Sequence, residues 1–552
     1  MSLSVYCTPS GKQFAGRGSK ALGFLPKKDK DRPDRGKAVF LKDTFTRFPL
    51  SRDGKAPNGS KMDLLNCKIT DLTALIRSKK LSVEELCRFY LDRIERFNPE
   101  LNAVLTTNSF ALQKARDIDN HFSSYKERPL VGIPILLKDV FCVKNMKTTA
   151  GSKMLENFIA PYSAEVTKRL EKAGAIILGK CNQDEFAMGT SNENSAFGVV
   201  LNPWNKEYVP GGSSGGSAAA VSAGLCVASI GTDTGGSIRQ PASFCNLIGV
   251  KPTYGRVSRY GMIAYASSLD QAGPMTMYVE DNALILEALT GRDSKDSTSA
   301  QSDVPKWFLN RGSTNIKKLK VGFLNKKEAE SFCSSEVMQV LEQVVNLLQS
   351  HGAIVEEVSL PLMEVAVPVY YLISTSEASS NLARYDGIRY GSRFDFKNTP
   401  PSSLEEFYSQ NRGFGFGNEV KRRIIMGTYC LSSGYYDEYY NKASQIRRKM
   451  RDEFIKIFSE FSLLLSPVSL STAFKFGEKP VGSLKSYLVD NFTVSSNLAG
   501  LPSLSVPAGF SPVTSLPIGV QLIGNHFDEQ TLFDVALLIQ EEIKAVGKRP
   551  VI

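Results

Sequence analysis

A chain of 552 residues, 42% hydrophobic and 22% charged, has the make-up of a globular protein with one large core or two moderate ones. No run of about 18 apolar residues occurs, which excludes a membrane-spanning helix. The net charge of +11 suggests a nucleic-acid partner until it is located: residues 1–62 hold 14 Lys/Arg against 5 Asp/Glu, a net of +9, and the other 490 residues carry only +2. The body of the protein therefore offers no electrostatic grip on RNA.

The first 62 residues read as a basic extension. Before Asp29 there is no acidic residue, while Lys12, Arg17, Lys20, Lys27 and Lys28 alternate with Ser, Gly and small apolar residues. That is the make-up of an organellar transit segment, with a disordered basic tail as the plainer alternative. Pro33, Pro49 and Pro57 with Gly54 and Gly59 form a linker. Globular texture begins at about Asp63. Ser82-Val83-Glu84-Glu85 is an N-cap signature, and Leu86, Tyr90 and Ile94 continue at helical spacing through Arg96.

Val131 to Leu137 reads as a short buried strand that delivers Lys138 and Asp139 at its end. Val166 to Ala173 is helical, followed by a strand from Ala175 to Lys180. Ser217 to Ile230, made mostly of small residues, reads as a helix packed tightly in a core. Residues 365–460 are mainly helical, and strand-like runs return at Leu463–Leu465 and Pro517–Ile523. Strand and helix alternate, which predicts an α/β fold around a large, mixed and mostly buried sheet.

Two Gly/Ser loops stand out, Pro210 to Ala218 and Gly231 to Ala242. Neither carries a phosphate-loop lysine or a dinucleotide fingerprint, and apolar, patterned segments flank both, so they are neither phosphate cradles nor linkers. As paired active-site loops they fit better: one supplies a hydroxyl relay and the other a nucleophile. The N–H groups around Thr234, Gly235, Gly236 and Ser237 could converge on one oxygen, as an oxyanion hole requires. Nine scattered cysteines show no Cys-x-x-Cys pair, and His121, His351 and His526 have no metal-ligand spacing. So few histidines weaken any Ser-His-Asp mechanism. Taken alone, each loop is more often a structural turn.

Lys138 changes that balance. The string Gly132 to Asp139, followed by the two loops, resembles the amidase signature family, in which a lysine, a middle serine and a nucleophilic serine form a triad. Lys138 to Ser213 is 75 residues and Ser213 to Ser237 is 24, in the family's order and spacing. The resemblance extends from about residue 63 to about 545 and implies the amidase signature fold, a mixed sheet with helices on both faces. It makes residues 63–552 an amidase domain, with Ser237 as nucleophile, Ser213 as relay and Lys138 as base. It also implies a cis peptide bond between Gly212 and Ser213. Lysine is protonated near pH 10.4 when free, and burial after an Ile-Leu-Leu run lowers that value.

Within the family the sequence is most similar to the A subunits of glutamyl-tRNA(Gln) amidotransferases. The similarity rests on Asp184 to Gly189, Lys251 to Gly261, Ser376 to Gly387, Gly417 to Ile424 and Asn497 to Pro502. Asn192 and Ser469-Leu470-Ser471 depart from the pattern. The resemblance implies a glutamine pocket with Asp490 for the α-ammonium, Arg423 for the α-carboxylate and Tyr370 nearby, Tyr371 being the alternative tyrosine. The plain readings are a solvated arginine on a basic helix and an N-capping aspartate. It further implies B and C subunits as partners. This chain would hold no cofactor or metal, ATP and Mg²⁺ being used by the B partner. The product would be Gln-tRNA(Gln), made from Glu-tRNA(Gln) in a mitochondrion or plastid. A stand-alone amidase acting on another small or fatty amide is the competing reading, and a catalytically silent scaffold is a further one.

Overall fold

The computed structural model describes residues 63–324, 333–389, 391–478 and 490–552. The basic extension read over residues 1–62 lies outside them. The described strands are β1 (Val104–Thr107), β2 (Pro134–Lys138), β3 (Ile176–Cys181), β4 (Ala228–Asp233), β5 (Ile248–Lys251) and β6 (Gln271–Thr276). They continue with β7 (Lys320–Leu324), β8 (Ile354–Val358), β9 (Leu463–Pro467), β10 (Ser503–Phe510) and β11 (Pro517–Gly524). All join one sheet in the order β1-β3-β2-β4-β6-β5-β10-β11-β9-β7-β8. Pairing is parallel among β3, β2 and β4 and among β8, β7 and β9, and antiparallel elsewhere. The sheet is therefore mixed, as the alternating pattern predicts.

Every residue of β2, β3, β4, β5, β6, β9 and β11 is buried, so both faces of the central sheet are covered. The first helices are α1 (Ile69–Arg77), α2 (Val83–Leu101), α3 (Ala111–Asn120), α4 (Glu165–Lys172), α5 (Gly215–Ser222), α6 (Arg239–Phe244) and α7 (Val279–Leu289). After them come α8 (Ser335–Ser350), α9 (Ala366–Asn381), α10 (Leu404–Gly415), α11 (Asn418–Leu431), α12 (Lys442–Ile457), α13 (Asn491–Ala499) and α14 (Glu529–Glu542). No described helix is long and apolar enough to cross a membrane.

Local chemistry explains the boundaries. Ser82 Oγ accepts the Glu85 N–H at 3.1 Å while Glu85 Oε2 accepts the Ser82 N–H at 2.8 Å, so α2 starts on a reciprocal cap. It runs to Leu101, past the Arg96 boundary expected from spacing. β2 begins at Pro134 rather than Val131, because Gly132 takes a left-handed φ of +73° that turns the chain first.

The stretch Ser217–Ile230 is not one helix. α5 ends at Ser222, Gly224 adopts a left-handed φ of +66°, and the Leu225 N–H closes back on Ala220 O at 2.8 Å before β4 opens at Ala228. The same small residues that suggest a packed helix also suit a tight turn and a strand buried on both faces.

Candidate active site

Three neighbouring parallel strands, β3, β2 and β4, end on the same edge of the sheet, and their carboxyl ends carry the polar residues of the site. Lys138 is the last residue of β2. Thr232 and Asp233 close β4, and Asp184 follows β3 by three residues. Ser213 and Ser214 stand just before α5, in the first glycine-rich loop, and the peptide bond Gly212–Ser213 is cis.

Lys138 is fully buried, and its Nζ donates to three hydroxyls: Ser213 Oγ at 2.7 Å, Ser214 Oγ at 2.9 Å and Thr232 Oγ1 at 2.9 Å. Among the described residues no carboxylate pairs with it directly. Burial drives its pKa down to about 7, and the more distant carboxylates of Asp184, Asp233 and Asp270 offset only part of that effect. A lysine in this setting sheds its proton near neutrality and can act as a base toward Ser213.

Within the second loop, the turn from Thr234 to Ile238 is shaped by Asp233. Its Oδ1 accepts from Gly236 N–H at 2.8 Å, Arg239 Nη2 at 2.9 Å and Asn497 Nδ2 at 2.8 Å. Its Oδ2 accepts from Ile238 N–H at 3.2 Å and Arg239 Nε at 3.0 Å. The Arg239 guanidinium beside it holds this carboxyl well below the usual range against the effect of burial. Arg239 is itself fully buried and donates onward to Thr493 O, Ser496 Oγ and Gln521 Oε1.

The Gly236 N–H is thus committed to Asp233. Among the described residues, the N–H groups of Thr234, Gly235 and Ser237 make no hydrogen bond. Gly236 contributes conformation instead: its φ is +128°, and a Cβ there would stand 2.4 Å from Thr493 Oγ1. Ser237 follows it at 9% exposure, the most accessible of the three triad positions. No hydrogen bond joins the Ser213 and Ser237 hydroxyls among the described residues; the bond present is Lys138 to Ser213.

Of the residues expected to bind glutamine, Tyr370 lies against this loop. Tyr370, on α9, is buried with its ring over Gly235, where an added Cβ would come within 2.8 Å of Tyr370 Cζ. Tyr371 packs edge-on against Tyr370 at 5.4 Å and lies 5.2 Å from the Arg423 guanidinium. Tyr370 thus lies toward the loop and Tyr371 toward the arginine.

Arg423, on α11, is buried rather than solvated. Its Nε donates to Glu419 Oε1 at 2.7 Å and its Nη1 to Tyr265 Oη at 2.8 Å. Asp490 is the residue before α13 but makes no side-chain cap there, and burial pushes its carboxyl up to about 7 while Arg423 draws it down. Three residues on, Thr493 Oγ1 donates to Gly235 O at 2.7 Å, tying α13 to the loop.

Several contributors carry no motif of their own. Thr232, Ser214, Asn497 and Gln521 are ordinary polar residues in sequence, and Asp233 and Arg239 sit unremarked inside the second loop. Among the described residues no group of three or more His, Cys, Asp or Glu is placed to hold a metal. His526, whose Nε2 lies 3.0 Å from Ala499 O, is bound to backbone rather than to the relay.

Residues 85–533 match the Amidase family. The A subunit of the glutamyl-tRNA(Gln) amidotransferase of Bdellovibrio bacteriovorus is 51% identical over 490 residues, covering 89% of this chain and 99% of that protein. The protein of the same name from Coxiella burnetii is 52% identical over 475 residues, 86% and 97% of the two chains. Among solved structures, the A subunit of the Thermotoga maritima glutamyl-tRNA(Gln) amidotransferase superposes with a TM-score of 0.73 at 38% identity, over 89% of this chain and 98% of that one. The peptide amidase of Stenotrophomonas maltophilia superposes at 0.74 with 29% identity, over 90% and 99%. The family match spans both glycine-rich loops, the lysine that faces them and the helices α9, α11 and α13: the chain belongs to the amidase family.

Proposed function

We propose that this chain is the glutaminase component of a glutamyl-tRNA(Gln) amidotransferase, with Lys138, Ser213 and Ser237 as its triad. The observation that carries the chemistry is the Lys138–Ser213 hydrogen bond of 2.7 Å, made by a buried lysine whose pKa has fallen to about 7. The glutamine assignment draws on half-identity to the named A subunits across nearly their whole length.

In the first step Lys138 takes the Ser213 proton as Ser213 takes that of Ser237, and Ser237 Oγ attacks the side-chain amide carbon of glutamine. The N–H groups of Thr234, Gly235 and Ser237 receive the oxyanion; Gly236 shapes the loop. The tetrahedral adduct expels ammonia, protonated through the same relay, and leaves a γ-glutamyl ester on Ser237. Water then attacks that ester by the reverse proton path and releases glutamate. Tyr370, Arg423 and Asp490 hold the amino acid end of the substrate. Glu419 and Tyr265 engage Nε and Nη1 of Arg423, and Nη2 is the donor left for the α-carboxylate. Asp490 faces the α-ammonium.

The released ammonia serves a B subunit that activates Glu-tRNA(Gln) with ATP and Mg²⁺, and a C subunit joins the two. The acid-poor basic stretch before Asp29 supports import into a mitochondrion or plastid. The test is reconstitution with B and C subunits: glutamine then converts Glu-tRNA(Gln) to Gln-tRNA(Gln), and Ser237→Ala abolishes that conversion. The likeness to a peptide amidase favours a second reading, a stand-alone amidase. Hydrolysis of peptide or hydrophobic amides with no action on glutamine, even in the presence of partners, would establish it.

A further inference from the structure

Asp184 and Glu185 are consecutive buried carboxylates that serve different neighbours. Asp184 Oδ2 accepts the Asn192 N–H at 3.0 Å and abuts Gly212, where a Cβ would stand 2.2 Å from that oxygen; the Asp184 N–H donates to Ser213 O at 3.2 Å. Asp184 is thus part of the wall behind the relay serine. Glu185 points into another set of contacts. Its Oε1 accepts Ser152 Oγ–H at 2.5 Å, and its Oε2 accepts the Gly417 N–H at 2.8 Å.

Gly417 is the N-cap residue of α11, the helix that carries Glu419 and Arg423. Glycine has no side chain with which to cap, and a Cβ there would stand 2.4 Å from Glu185 Oε2. The carboxylate arriving from 232 residues earlier accepts the N-cap N–H, the bond that an acidic third helical residue makes in a capping box and that Val420 cannot make here, at the helix end where negative charge is favoured. Among the described residues no cation lies within 4 Å of Glu185, so its role there is that of an acceptor. The next residue reinforces the junction: Phe186, at a left-handed φ of +50°, packs its ring 5.7 Å from Phe416, the residue before Gly417. A non-glycine residue keeps such a conformation only where its surroundings enforce it.

We propose that Glu185 is a positioning residue that fixes α11, and through it Arg423, relative to the relay wall built by Asp184. This inference rests on the proposed role of Arg423 as clamp for the glutamine α-carboxylate. Weakening the Glu185–Gly417 bond then misplaces the clamp and leaves Ser237 chemistry intact.

The test uses the assembled amidotransferase carrying Glu185→Gln, Glu185→Ala or Gly417→Ala, assayed for glutamine KM and kcat and for labelling of Ser237 by a fluorophosphonate, which has no α-carboxylate. Glutamine preserves the side-chain volume and one acceptor, so its effect is the smallest, about threefold in KM, while Glu185→Ala and Gly417→Ala raise KM about tenfold. In all three, kcat stays within about threefold and the labelling rate within about twofold of wild type. A labelling rate that falls in step with the loss of glutamine turnover would overturn the inference, because Glu185 would then support the relay itself. Arg423→Ala, run alongside, separates the two claims. A raised KM there with unchanged KM in the Glu185 and Gly417 variants overturns this inference alone; unchanged KM in all four overturns the clamp as well.

Discussion

At the scale of single residues, the proposed base is made by what surrounds it. Lys138 has three hydroxyls and no carboxylate in direct contact, so the loss of hydration is offset only in part by the more distant Asp184, Asp233 and Asp270, and its pKa falls to about 7. Catalysis needs the neutral amine, so kcat should rise with pH through about 7 and level off above it. A kcat profile flat from pH 6 to 9 would count against Lys138 as base. The same shift has a thermodynamic sign. Between about pH 7 and 10.5 the unfolded chain holds a proton on this lysine that the folded chain lacks, so folding stability rises with pH there. The slope approaches about 1.4 kcal/mol per pH unit. Urea midpoints at pH 7 and 9 should therefore climb more steeply for the wild type than for Lys138→Met, and equal slopes would contradict the assignment. Lys251, also buried and lowered to about 7, adds a similar term to both proteins and cancels in the comparison.

At the scale of elements, the loop between β4 and α6 is held from beneath. Asp233 gathers Gly236, Ile238, Arg239 and Asn497 on its two oxygens, while the neighbouring N–H groups of Thr234, Gly235 and Ser237 make no hydrogen bond among the described residues. Asp233→Asn removes the charge that Arg239 faces, leaving a buried guanidinium unpaired, a loss of about 3–5 kcal/mol in stability. It also loosens the N–H groups proposed to receive the oxyanion, and loss of one such donor costs about 10²–10³ in kcat. Differential scanning fluorimetry and glutaminase kinetics on this variant check both effects; wild-type kcat would refute the support role. Gly235→Ala is narrower. Its Cβ would meet Tyr370, so the expectation is a raised glutamine KM with the fold intact, read from the same two measurements.

Lys138, Ser213 and Ser237 are legible in the sequence because each lies in a short run of distinctive composition whose order and separation can be checked. Their supports are not legible, because the partners are remote: Arg239 reaches Gln521 across 282 residues and Glu185 reaches Gly417 across 232. Asp490 resembles a helix cap in sequence, and only the folded chain reveals a side chain that does not cap. The Ser217–Ile230 stretch misleads because small residues suit a packed helix, a turn and a buried strand alike.

For the whole molecule, the sheet order explains why residues so far apart meet. Parallel β3, β2 and β4 bring Asp184, Lys138 and Asp233 to one edge, while antiparallel β5, β10 and β11 place Gln521 and the helix α13 beneath the second loop. The alternation of strands and helices predicts the class but not this order, since β7, β8 and β9 join through segments of very different length. Glutamine hydrolysis by this chain gives ammonia a purpose only in a larger assembly, and that is where the central claim is tested most directly. The measurement is transfer of ¹⁵N from the side-chain amide of glutamine into Gln-tRNA(Gln) by the reconstituted enzyme. The account predicts label in the product with wild type, none with Ser237→Ala, and unlabelled product from Ser237→Ala once ammonium salt is supplied. Label transferred from glutamine by Ser237→Ala would contradict it.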